Sequence, residues 1–553
     1  MGETQFWDTY NLCSTNYPVM TPRARRATVR TISNPQGLYA RGKLCWAAGN
    51  KLYYDGTQVN GVTLSNGAKT FVGMGAYIIV FPDGVRYNTY TGAVDMLAAS
   101  FPASGTVTGT VTIARQDGTD YQNVTVSATA PSSPTAGDYW LDTGSDPAVL
   151  RVYAASAVWT AILTTFLRIE ATGIGSAFKV GDAVTIDTGV AAADGTKEIV
   201  GKGTDWILVS GVMSAASASS SAVKAARTVP TMDFVCELNN RIWGCSNAKH
   251  EIYCCKLGDP TNWMLYGTNA GDAWAATVGS DGDFTGCCSY GGCALFWKED
   301  SLHKVMGTKP SNFQIIDGPA RGVQKGSEKS LCVVNEVLIY KSRDGVMMYD
   351  GATPTNIGQA LGTERLYDAR AGVDGDRYYI SMHTEGGQWG LWVFNEAKGL
   401  WHREDGTRAD DFAALDGQLY FLRHDGKLMA VRGKLEVTRA GNIQNPPVLE
   451  DPVDWWAETG DMLIEQAEYK YLARIQIKAS VEQDSTMTIE AMYDSSGDWV
   501  RIYKRGKSRK AAFAIPMIPA RCDHMRLRIS GHGSGAVYGI FKQIENGGSE
   551  IGG

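Results

Sequence analysis

Apolar residues along this chain come in short alternating runs joined by polar turns. Gly42-Lys43-Leu44-Cys45-Trp46-Ala47 turns through Gly49-Asn50 into Lys51-Leu52-Tyr53-Tyr54. The same grammar returns at Cys236–Trp243 around Asn239-Asn240, at Val334–Tyr340 followed by Asp344–Gly351, and at Leu415-Asp416-Gly417-Gln418-Leu419-Tyr420-Phe421. Alternation at a period of two predicts strands with one buried face, and Asn-Gly-like dipeptides between them predict tight hairpins. Hairpin modules recurring about every 35 to 50 residues are the mark of propeller blades. Two units precede residue 103, and five more open near 233, 284, 331, 374 and 411. The expected fold is all-β, a β-propeller of about seven blades carrying an inserted small-β domain and a C-terminal β-sandwich.

Texture divides the chain further. Residues 1–34 lack periodicity and read as an extended N-terminal arm; 35–102 form the first part of the propeller. Residues 103–226 turn rich in Ala, Ser, Thr and Gly and lose cysteine, which predicts an inserted domain of two small β modules. One is centred on Tyr139-Trp140-Leu141-Asp142 and Leu150–Tyr153, the other on Phe178–Ile186 and Trp206–Gly211. Blade grammar resumes over 227–440. From 450 to 546, alternating strands such as Tyr471–Lys478, Thr486–Tyr493 and Met525–Ser530 predict a half-solvated antiparallel sandwich.

With 553 residues the chain exceeds what one core supports, and a charged content of 20% is ordinary for globular proteins. A net charge of −6 argues against general electrostatic gripping of nucleic acid. The eleven cysteines lack a CxxC pair and include the vicinal pairs Cys254-Cys255 and Cys287-Cys288. They read as reduced core residues of a protein assembled in a reducing cytoplasm. The N-terminus resembles no signal peptide, no apolar run reaches 18 residues, and stable membrane insertion is not expected.

Motifs for chemistry are sparse. No histidine pair has HxxxH spacing; His250 lies near Cys245, Cys254 and Cys255, but not at the two-residue spacing a strand-borne zinc site needs. No GxSxG elbow, Walker loop or GxGxxG occurs, and Ser280-Asp281-Gly282-Asp283 begins like a sialidase Asp box and then departs from it. The expectation is a non-enzyme with no catalytic residues, no metal and no cofactor. Two basic clusters remain as candidate contacts. Arg23, Arg25, Arg26 and Arg30 would form an N-terminal strap on the chain's own domain or on a neighbour. Arg501, Lys504, Arg505, Lys507, Arg509 and Lys510 would be a solvated hairpin, or a contact to another subunit or to DNA phosphate.

Several strings resemble phage tail nozzle proteins, also described as packaged-DNA stabilisation proteins. They are Ile252–Trp263 with its Leu257-Gly258-Asp259-Pro260-Thr261-Asn262-Trp263 core, Phe296–Val305, Gly307–Ile315 with Lys309-Pro310-Ser311-Asn312-Phe313, and Asp344–Gly351. The likeness covers roughly 35–100 and 228–545; the insert departs from the simplest members. The resemblance implies a structural virion protein of the tail, assembled in the host cytoplasm into a ring, commonly a homo-hexamer. That ring would extend the DNA channel below the portal and adaptor and help retain and release the genome. Implied partners are further copies of the chain, head-to-tail connector proteins, fibre or tail-tip plug proteins, and passing double-stranded DNA. The alternative is a carbohydrate-binding propeller at the tail tip, with Trp389 and Trp401 as sugar platforms.

Overall fold

The computed structural model describes residues 6–267, 269–433, 447–462, 471–506, 508–516 and 522–545. It is all-β. The described helices are one short α-helix, Ile174–Ala177, and four 3-10 turns, and none is long and apolar enough to cross a membrane.

Seven antiparallel sheets follow the repeating grammar, the first six each a meander of four strands in chain order. The first runs from Pro35–Arg41 to Thr57–Gln58 and the second from Thr70–Met74 to Val94–Met96. The third spans Phe234–Leu238 to Trp274–Thr277, the fourth Gly286–Tyr290 to Gln314–Pro319, and the fifth Cys332–Val334 to Thr355–Asn356. The sixth spans Leu366–Asp374 to Leu400–Arg403. The seventh holds Ala409–Leu415, Gln418–Arg423 and Lys427–Ala430, takes its fourth strand, Ala27–Thr31, from the far end of the chain, and ends on Val448–Leu449. Hairpin turns are tight where the sequence demands it. Asn239 and Asn240 both hold positive φ, 52° and 58°, as a two-residue hairpin turn with the twist of its strands requires.

The chain divides into two compact units, one built from residues up to Lys69, Trp297–Leu302 and everything from Pro319 onward, the other from Thr70–Phe296 and His303–Gly318. In the first unit neighbouring sheets share apolar cores. Val334, Ile339 and Tyr378 join the fifth and sixth sheets; Leu391, Val393 and Phe421 join the sixth and seventh; Leu38, Trp46 and Leu422 join the seventh and first. In the second unit Val72, Ile79 and Ile242 join the second sheet to the third. Trp243, Phe284 and Phe296 join the third to the fourth. The middle strands of these sheets are buried along their length, which is why they read as apolar throughout (Ile78-Ile79-Val80-Phe81, Ala294-Leu295-Phe296-Trp297).

The insert carries an eight-stranded sheet running in order from Ala99–Phe101 through Lys224–Arg227, Ala183–Asp187 and Trp206–Ser210 to Ser217–Ser220. Its core centres on Val111, Ile169, Val184 and Ile207. A smaller four-stranded sheet, Val124–Ser127 to Trp159–Ala161, lies between two of its strands in sequence and includes a parallel pair. The C-terminal part is a sandwich. A five-stranded sheet (Phe6–Tyr10, Asp454–Thr459, Met525–His532, Thr486–Tyr493, Val500–Arg505) and a three-stranded one (Ser508–Pro516, Tyr471–Val481, Gly535–Glu545) bury a common core of Ile475, Ile477, Ile489 and Ile529.

The extended N-terminal arm is built of short strands that join two sheets: Phe6–Tyr10 is the edge strand of the sandwich sheet, and Ala27–Thr31 lies within the seventh sheet. Strands this short, separated by Pro18 and Pro22, leave no period to detect in the sequence.

Candidate functional site: a buried clasp, an anchored insert and a basic hairpin

The four arginines of the N-terminal segment all bond to their own chain, Arg23 and Arg26 from buried positions and Arg25 from an exposed one. Arg23 donates from Nε to Asn11 Oδ1 at 2.7 Å, pairs with Glu450, and reaches Asp405 Oδ2 at 3.3 Å. Arg26 pairs with Glu404 at 2.5 Å and Asp405 at 2.8 Å, donates to Thr407 Oγ1, and lies over the Phe421 ring. Both guanidinium groups are buried. Burial alone would raise the Asp405 carboxyl, but Arg26 and Arg23 beside it outweigh that and hold it down at about 2. Burial likewise opposes the Arg26 charge, and Asp405 and Glu404 overcome it and raise its affinity for the proton. Arg25 donates to the Glu450 carbonyl at 2.5 Å, and Arg30 donates to the Gly56 carbonyl at 3.1 Å while stacking on Trp46. The cluster clamps the strap strand to the ends of the sixth and seventh sheets.

The C-terminal basic run divides between two sheets. Arg501, Lys504 and Arg505 stand on the strand Val500–Arg505 of the five-stranded sheet. There Arg501 is in register with Glu490, and Arg505 donates to Tyr503 Oη at 3.2 Å. Lys507 lies outside the described residues. Arg509 and Lys510 fall on Ser508–Pro516 of the three-stranded sheet, with the Lys510 ammonium 3.9 Å from the centre of the Tyr538 ring.

The longest string of the resemblance builds an anchor. Asp259 Oδ1 accepts from the Thr261 amide at 3.0 Å and hydroxyl at 2.6 Å, and Asn262 donates to Asp259 Oδ2 at 2.5 Å. This local turn orients Asn262 so that its Oδ1 accepts the Ala183 amide of the insert, buried, at 2.7 Å. Trp263, 1% exposed, closes the turn by donating to the Pro260 carbonyl at 2.7 Å. Two further ties fix the insert: Lys256 to Glu198 at 3.0 Å, and the buried pair Arg227–Asp182 at 2.6 Å, whose guanidinium also donates to the Leu97 carbonyl at 2.9 Å. The second string works similarly. Asn312 Oδ1 accepts the Thr308 and Lys309 amides, both at 2.9 Å, and Phe313 packs edge-on against Trp243 and Trp274. Sequence reasoning recognised these strings without assigning them a task; a Leu-Gly-Asp-Pro turn ending a strand was the available signal.

One arrangement of catalytic residue types does occur. Ser280 Oγ lies 3.0 Å from His303 Nε2, and His303 Nδ1 lies 2.5 Å from Asp317 Oδ1. Sequence reasoning missed it because the three residues span 37 positions. Its exposure runs opposite to a nucleophilic triad: the imidazole has no accessible surface while the Asp317 carboxylate is 60% exposed. An imidazole so covered cannot reach a leaving group without displacement of the loop, so the trio ties a loop to two strands of the fourth sheet. Burial pushes the Cys254 and Cys332 thiols up to about 12 and raises Cys45 and Cys255 further, which leaves them protonated and unreactive. All eleven cysteines are free thiols. Among the described residues no group of three or more His, Cys, Asp or Glu side chains is placed to hold a metal ion.

The aromatic candidates are occupied. Trp389 packs against His383 at 4.8 Å and lies under the Arg408 guanidinium at 4.6 Å. Trp401 packs on Phe394 at 5.1 Å and donates to the Ile357 carbonyl at 2.8 Å.

No family model matches the chain, and no curated protein matches it. Among solved structures, the computationally designed Ika8 protein aligns over 73% of this chain and 99% of its own, at 8% identity and a TM-score of 0.34. PorZ, a surface component of the type-IX secretion system of Porphyromonas gingivalis, aligns over 87% and 70% at 12% identity and 0.26. An exo-beta-1,3-galactanase from Phanerochaete chrysosporium aligns over 55% and 95% at 9% identity and 0.23. TM-scores this low carry neither a fold nor an activity across.

Proposed function

We propose that the seven sheets are the blades of one β-propeller, and that this propeller is the wall element of a ring-forming tail nozzle or hub. The ring extends a virion's DNA channel below the portal and adaptor and retains, then releases, the genome. The observation that carries the reading is the pairing of two string motifs, 257–263 and 309–313, with a serial array of four- and five-stranded sheets in which both motifs form stiff turns. A conduit subunit needs rigid walls and appendages held at fixed angles. The clasp at Arg23 and Arg26 and the Asn262 anchor are suited to both needs. Ring closure by a heterologous contact requires a different surface on each side of the subunit, which an asymmetric insert and sandwich can supply. In this reading the chain is a structural protein rather than an enzyme.

Negative-stain micrographs and mass photometry of the purified protein test it. The expected result is a closed ring at a small multiple of 59.7 kDa, six copies being the expected number. A monodisperse monomer that never associates with virion connector proteins would overturn the proposal. A sugar-binding propeller is the weaker reading, since Trp389 and Trp401 already spend their rings on His383, Arg408 and Phe394.

A further inference from the structure

The three-stranded sheet of the C-terminal sandwich presents a face that the linear basic run conceals. Along Tyr471–Val481, Ile475, Ile477 and Ala479 point into the core, while Arg474, Gln476 and Lys478 are exposed. In register with this outward row stand Ala514 and Ala512 on one side, Phe541 and Gly539 on the other. The register then slips between Lys478 and Ala479, leaving Tyr538 as the extra residue of a bulge. The bulge brings the Tyr538 hydroxyl within 3.4 Å of Ser480 Oγ, and Lys510 reaches across from the opposite strand to the Tyr538 ring. The face therefore carries three cations, Arg474, Lys478 and Lys510, with two exposed aromatics and no carboxylate among its described side chains. None of the three cations forms an ion pair with a described residue, whereas Arg526 and Arg528 on the neighbouring sheet are each paired with Glu458.

We propose that this face binds the phosphate backbone of double-stranded DNA. The proposal rests on the conduit reading, and names the part of the subunit that touches the duplex. Charge complementarity supplies the attraction. Spacing supplies the fit: Arg474 and Lys478, four residues apart in a strand, stand about 13 Å apart, close to the roughly 12 Å width of the B-form major groove. One cation can thus meet each of the phosphate strands bordering the groove. Single-stranded nucleic acid is disfavoured because the Tyr538 ring is already capped by Lys510, leaving Phe541 as the one platform for a base among the described side chains of the face. Arg501 and Lys504, although neighbours in sequence, belong to the other sheet and take no part.

The test compares the full-length protein with the variant Arg474→Gln/Lys478→Gln/Lys510→Gln. Fluorescence anisotropy with a labelled 20-base-pair duplex is read at 50 and 200 mM salt. Each neutralised phosphate contributes about 0.9 to the salt slope, so removing three lowers the slope by about 2.7. The wild type should then lose about 40-fold more affinity than the variant over that salt range. Arg501→Gln/Lys504→Gln should keep the wild-type slope, and so should the charge-preserving Arg474→Lys/Lys478→Arg/Lys510→Arg, which guards against misfolding as the explanation. Mass photometry on the same samples reads ring formation separately. Unchanged slopes, or no duplex binding by the wild type, would overturn the inference while a ring left the conduit reading standing. Loss of the ring with an unchanged slope would make the face a protein contact instead, and also overturns it. Duplex binding through this face by a protein that forms no ring would support the inference and sink the conduit.

Discussion

Asp405 shows how one residue ties distant parts of the chain together and links folding to pH. Its carboxyl sits near 2 in the folded protein, against about 3.9 for an unfolded aspartate. Because the folded pKa is the lower one, the stabilisation is complete above the unfolded value and fades as pH falls from about 4 toward 2. Asp405→Asn should therefore lower unfolding free energy at pH 7 by roughly 2 to 3 kcal/mol, and the gap to wild type should narrow as the buffer approaches pH 2. Urea denaturation across that range checks it; a gap independent of pH would mean the two arginines do not set this carboxyl. Arg23 and Arg26 were visible in the sequence as a basic cluster, but their partners were not. Glu404, Asp405 and Glu450 lie some 380 to 430 positions away, beyond any local pattern.

At the scale of elements, two joints hold the fold. The strand Ala27–Thr31 lies between Lys427–Ala430 and Val448–Leu449, with Thr28 in register with Met429 and Val448. Proline there removes a ladder donor, so Thr28→Pro should cost on the order of 3 kcal/mol. Limited proteolysis should then cut within the first 31 residues well before the rest; an unchanged digestion pattern would show that the strap is dispensable. The other joint is Asn262. Asn262→Ala leaves the Ala183 amide buried without its acceptor, a loss of about 1 to 3 kcal/mol. Hydrogen exchange should speed up over Ala183–Asp187 and leave the fifth to seventh sheets unchanged. Here the sequence was informative unevenly. Hairpins with Asn-Asn or Asp-Gly turns announced themselves, while the sixth sheet opens at Leu366, not near 374. Asp374-Gly375 is its first hairpin turn, and a turn signal marks a hairpin without saying which strands precede it.

For the molecule as a whole, the eleven thiols are free and many are packed among apolar side chains, so no covalent crosslink supports the core. Thermal unfolding should give the same midpoint with and without dithiothreitol; a midpoint that falls on reduction would reveal a disulfide. The charge of the whole chain is equally instructive. A net −6 reads as mild repulsion of DNA, yet the outward face of the three-stranded sheet gathers cations. Net charge sums over all surfaces, whereas a polyanion meets one of them.

Local physics was enough to decide that this chain is all-β, since alternation, aromatic content and turn dipeptides act over a few residues and are written in order. The expectation that the cysteines are core residues is met by five of the eleven, Cys45, Cys245, Cys254, Cys255 and Cys522, which are buried, while the other six are half-buried. Only the tertiary structure decided that the N-terminal segment supplies strands to two separate sheets. Only there did Asn262 become the tether of the insert, a Ser–His–Asp trio prove to be a covered tie, and a continuous basic run divide between two sheets. Each of these depends on which strand lies beside which, and strand pairing over hundreds of residues is settled by the burial of shared faces, which no short window of sequence contains.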